Sequence, residues 1–178
     1  TQRLRPVFEG RQNWDRLHAI MEMQLDFIDG KESRLTLMDR LAEMNIEELD
    51  RGEEALVWLG RAAQLAPSDS RRVDAAIRLG CELEMWGELH TIVMGTAVAA
   101  ETDDRRIELW LRAAEISRSQ AHDSEGAERT LRLVLELNAT HEGALSQLDE
   151  IMTSDARWED LEPLLLKQVE SVAYDEER

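Results

Sequence analysis

What this chain lacks narrows it first. Its one cysteine, Cys81, excludes an intramolecular disulfide and any multi-cysteine metal site. Three prolines and nine glycines in 178 residues leave too few punctuators for a fold of many short strands and turns. Lysine is nearly absent: apart from Lys31 and Lys167 every basic residue is arginine, which points to a GC-rich coding bias and hence a bacterial source. Positive charge is short overall, with 38 acids against 21 bases and a formal net charge of −17. Displacing counterions from phosphates needs a basic stripe, so DNA and RNA are poor partners, and an anionic membrane surface is disfavoured for the same reason. No apolar run approaches bilayer length and no secretory leader is visible. The chain opens on Thr1 and closes on Asp175, Glu176, Glu177 and Arg178, so it is expected to be an excerpt of a longer bacterial protein. The expected location is cytoplasmic, or undetermined if the parent is exported.

Signatures of chemistry are missing as well. There is no glycine-rich phosphate loop, nucleophile elbow or calcium loop. His141 and Glu142 begin a zinc-protease pattern, but Leu145 stands where its second histidine belongs. His18 and His90 are 72 residues apart, on different expected hairpins, which argues against a shared metal. Paired acids such as Glu47 and Glu48 are what so acidic a composition supplies by chance. Cys81 reads as a small helix-face residue, and no catalytic residue, metal or cofactor is expected.

What is present is helical. Ala, Leu, Glu and Arg dominate, all strong helix formers. Apolar residues recur at helical spacing, as in Trp14, Leu17, Met21, Leu25 and Ile28. The chain also matches itself at a step of 72. Trp14, Trp86 and Trp158 lie 72 apart, each with a leucine three residues on: Leu17, Leu89 and Leu161. Leu35 with Ile107, Ala42 with Ala114, Ala55 with Ala127 and Leu59 with Leu131 fall at the same shift, with no insertion. Breaks at Asp50 to Gly52, Pro67 to Asp69, Asp123 to Ser124 and similar places put capping residues ahead of periodic runs. The expected helices span roughly 3–10, 12–28, 32–48, 53–65, 69–84, 87–100, 103–119, 124–137, 141–153 and 156–173. Pro6 is expected in the opening turn of the first, and Pro163 bends or shifts the last. They pair into five hairpins, units 1–29, 30–66, 67–101, 102–138 and 139–174 of one array.

The segment from Ala55 to Pro67, with Ala55, Leu59 and Ala62 before the closing proline, resembles the second helix of a tetratricopeptide repeat. Residues 127–145 have the same shape, with Ala127, Leu131 and Val134, and Leu79 with Gly80 resemble the Leu-Gly pair of the first helix. The repeat is slightly longer than the usual 34 residues, and Ala139 replaces one closing proline. The resemblance implies an all-α, right-handed α-α superhelix of about five antiparallel hairpins and about ten helices. Its function would be protein–protein interaction, without catalysis. Small residues (Ala42, Ala62, Ala63, Gly80, Ala113, Ala114) would let helices approach, and Trp14, Trp58, Trp86, Trp110 and Trp158 would fill the gaps between hairpins.

The resemblance also implies that the first helices of successive hairpins line a concave face. On this chain its outward residues would be Asp39, Glu43, Asp74, Arg78, Glu108, Arg112, Glu115 and Asp149. That face would be mixed but mainly acidic, suited to a protein or peptide with Arg or Lys. The alternative is a structural segment that stacks with neighbouring repeats or with copies of itself, giving a homodimer through exposed array ends.

Overall fold

The computed structural model describes residues 13–119, 122–155 and 166. Among them there are eight α-helices and no strand: α1 Trp14–Leu25, α2 Lys31–Glu47, α3 Gly52–Leu65, α4 Ser70–Glu82, α5 Trp86–Ala99, α6 Asp103–Ser119, α7 Ser124–Leu137 and α8 Glu142–Ser154. Each lies within three residues of an expected helix. The expectations for 3–10 and 156–173, with Pro6, Trp158, Leu161 and Pro163, fall outside the described residues.

The 72-residue step is written into the backbone. The bounds of α2, α3 and α4 shifted by 72 are those of α6, α7 and α8, and α5 starts 72 residues after α1. The turn before α3 repeats too. Asp50 and His122 both take a left-handed φ of 53°. The amide after each reaches back six residues at 2.8 Å, Arg51 to the Asn45 carbonyl and Asp123 to the Ser117 carbonyl. Asp69 caps α4 by accepting from the Arg71 amide, and its counterpart His141 caps α8 by accepting from the Ala144 amide. Asp123 caps α7 through the Gly126 amide. Gly30 and Arg51, by contrast, head α2 and α3 without a side-chain cap, so helix entry there rests on packing.

The chain divides into two compact units, Thr1–Ala99 and Ala100–Arg178. In the first, α1 packs on α2, α2 on α3, α3 on both α4 and α5, and α4 on α5. Its core joins Leu17, Met21 and Leu25 of α1, Leu35, Met38, Leu41 and Met44 of α2, and Trp58 and Ala62 of α3. Trp58 is 6% exposed, under the Arg61 guanidinium at 4.6 Å and edge-on to His18 at 6.5 Å. His18 is buried: its Nε2 accepts from Asn45 Nδ2 at 3.0 Å, and the same amide donates to the Leu41 carbonyl at 2.9 Å. This fixes the imidazole as a structural group, with Nδ1 turned to Glu22 at 3.5 Å. Trp14 and Trp86, each in a first helical turn, are half-buried, and Trp14 packs against this core. In the second unit α7 packs on α6 and α8. Trp110, Leu109, Leu131, Val134, Leu145 and Leu148 are buried there. All six small residues expected at close approaches are buried.

No helix among the described residues is long and apolar enough to cross a membrane.

Candidate functional site

In the first unit, α2 and α4 both pack on α3, and a groove of about 520 Å³ lies over Leu59 of α3 between them. From α2 it is lined by Asp39, Ala42, Glu43 and Ile46, and from α4 by Arg71, Arg72, Ala75, Arg78, Leu79 and Glu82, with the capping Asp69. The spacing explains the assembly. Residues 39, 42, 43 and 46 form one stripe of α2 beside its buried stripe of 35, 38, 41 and 45, and residues 71, 75, 78 and 82 do the same on α4.

One end of the groove is closed by ion pairs. Arg72 reaches across from α4 and grips the Asp39 carboxylate with two hydrogen bonds, Nε to Oδ1 at 3.2 Å and Nη2 to Oδ2 at 2.7 Å. Its third arm, Nη1, donates to Asp69. Asp69 also accepts from the Arg71 amide at 3.1 Å and from the Arg71 side chain at 3.2 and 3.3 Å. These bonds, Arg71's side chain first, hold the Asp69 carboxyl below the usual carboxylate range. The bond to Asp39 raises the pKa of Arg72. Arg72 is thus occupied by two carboxylates, in the forked geometry that suits guanidinium.

Two turns along each helix the groove becomes apolar. Ile46, half exposed at 48%, and Leu79 line it there with Leu59, and Ala42 and Ala75 fall between the two ends in sequence along their helices. Glu43, Arg78 and Glu82 rim this end. Glu43 is held by Arg40 of its own helix at 3.1 Å. Cys81, next to Glu82, is half-buried; burial and then the Glu82 charge push its thiol pKa up, away from a reactive thiolate.

Of the residues singled out in the sequence, Asp39, Glu43 and Arg78 line this groove together. Asp74 is half-buried on α4 and is not part of the lining. Glu108, Arg112 and Glu115 lie on α6 in a ladder of ion pairs: Arg105 to Glu108 at 2.6 Å, Glu108 to Arg112 at 3.8 Å and Glu115 to Arg118 at 3.1 Å. Asp149 is half-buried on α8, while its neighbour Glu150 pairs with Arg118 of α6 at 3.3 Å. The groove itself is mixed in charge, with four carboxylates and three guanidiniums in its lining. Asp69, Arg72, Ile46, Leu59 and Leu79 were missed. An apolar residue outside the buried stripe, as Ile46 is, was the available signal for the apolar end.

Among the described residues no group of three His, Cys, Asp or Glu side chains could hold a metal ion. No known protein family matches the chain, and no curated protein matches it.

Proposed function

We propose that this chain is a non-catalytic protein-interaction scaffold whose binding site is the groove between α2 and α4. The single observation that carries this reading is the groove itself: a concavity of about 520 Å³ with apolar Ile46, Leu59 and Leu79 among charged side chains. Its polar residues at the closed end are engaged with one another, which suits shape and charge recognition better than proton transfer. We take the fold to be a tetratricopeptide-like array in which helical hairpins stack into a superhelix. Packing between chain neighbours and the recurrence of helix bounds at 72 residues support that reading. The arginine-rich, lysine-poor composition favours a bacterial source.

The test is selection of randomised peptides displayed on phage against the chain, counter-selected with Ala75→Arg, which puts a long charged side chain at a lining position of the groove. The expected result is a set of peptides retained by the native chain and lost by the variant. Peptides retained equally by both would refute the groove as the site.

Self-association is a second reading. The observation favouring it is the exposed apolar pair Met23 and Phe27 near the end of α1, with Phe27 83% exposed. Light scattering across a concentration series separates the two, since only self-association raises the mass with concentration.

A further inference from the structure

The 72-residue repeat allows the groove to be compared with its own counterpart. Ile46 and Arg78, at the open apolar end, correspond to Arg118 and Glu150 in the second unit. There the two positions are joined by an ion pair at 3.3 Å that ties α6 to α8. Conversely, the clamp of Asp39 and Arg72 has Leu111 and Ala144 at the matching positions. One scaffold has thus been closed at opposite ends in its two copies, and in the first copy the end left open is apolar.

We propose that the open end in the first unit is an anchor pocket for an aliphatic side chain on a cationic peptide segment. This rests on the groove being the binding site. The anchor is set by Ile46, Leu59 and Leu79, which offer apolar surface without a polar group to satisfy. The charge is set by the rim and by the whole molecule. Arg72 is spent on two carboxylates, and Arg71 leans on Asp69. Beside the pocket stand Glu82 and Glu43, the latter paired with Arg40 of its own helix at 3.1 Å, and Arg78 is the one cation of the lining at that end. A net charge of −17 adds a field that speeds the approach of a cationic partner and slows an anionic one.

The experiment uses three fluorescein-labelled twelve-residue peptides, each with a central Leu flanked by Lys, by Glu or by Ser, with affinity read by anisotropy. The intact chain is compared with the double variant Ile46→Arg, Arg78→Glu, which copies the closing ion pair of the second unit. Because that pair is already accommodated on the matching helices, the variant is expected to keep its helical circular dichroism and melting temperature. A second variant, Glu43→Lys with Glu82→Lys, tests the rim without touching the apolar lining. The Lys-flanked peptide should bind best and lose at least about tenfold in affinity with the closing variant, about 1.4 kcal/mol. It should lose roughly three- to tenfold with the rim variant, as expected for exposed charges. Stronger binding of the Glu-flanked peptide, or equal binding of all three, would overturn the cationic assignment while leaving the groove reading intact. Binding unaffected by the closing variant would overturn the pocket. No binding of any peptide would overturn this inference, and the randomised selection then decides the groove reading separately.

Discussion

At the scale of single residues, burial ranks the tryptophans. Trp58 sits in the core against His18 and under Arg61, so Trp58→Ala should cost about 3–5 kcal/mol. Trp86, half-buried at the start of α5, should cost only about 1–2 kcal/mol on the same change. Chemical denaturation of both variants checks the order, and equal losses would contradict it. The groove's closed end makes a pH prediction. Asp69 has a folded-state pKa below its ordinary 3.8, so its stabilising contribution is complete above that value. It is lost as pH falls below 3.8 through the depressed value, because the unfolded chain binds the proton first. Asp69→Asn should therefore lower stability at neutral pH and flatten the acid limb of the stability curve, measured by urea unfolding from pH 2 to 7. The residues the sequence missed share a cause. Arg72 and Asp39 meet across 33 positions and two helices, and helical periodicity fixes which face a residue is on but not which residue it faces on another helix.

At the scale of elements, the helices were largely legible because each carries an apolar stripe at helical spacing between polar breaks. The helix ends were less so. Asp69 and Asp123 do cap α4 and α7, whereas α2 and α3 begin without a side-chain cap and α8 is capped by a histidine. How closely two helices approach was not legible either, and glycine bears on it where α3 meets α5. A Cβ at Gly60 of α3 would meet Ile92 Cγ1 of α5 at 2.8 Å. Gly87, in the first turn of α5, has nothing within 4 Å of that position. Gly60→Ala should be destabilising by about 1 kcal/mol net, since overpacking of roughly 1–3 kcal/mol outweighs the propensity gain. Gly87→Ala should be neutral to stabilising, by up to about 1 kcal/mol. Paired thermal melts distinguish them, and a stabilised Gly60→Ala would show that α3 and α5 are less closely packed than described.

At the scale of the whole molecule, the 72-residue step was readable from Trp14, Trp86 and their leucines. It returned as matched helix bounds and matched left-handed turns at Asp50 and His122. What the repeat could not tell is where its two copies diverge. Asp39 with Arg72 closes one groove, and Arg118 with Glu150 bridges the corresponding place at the other end of its counterpart. Those substitutions make the copies chemically different on one backbone plan. The most direct measurement of the central claim is hydrogen exchange read by mass spectrometry, with and without a saturating Lys-flanked leucine peptide. Added protection is expected in peptic fragments covering residues 39–46 and 71–82, with little change across α6 to α8. Protection concentrated on α6 to α8, or none on α2 and α4 at saturation, would contradict the account.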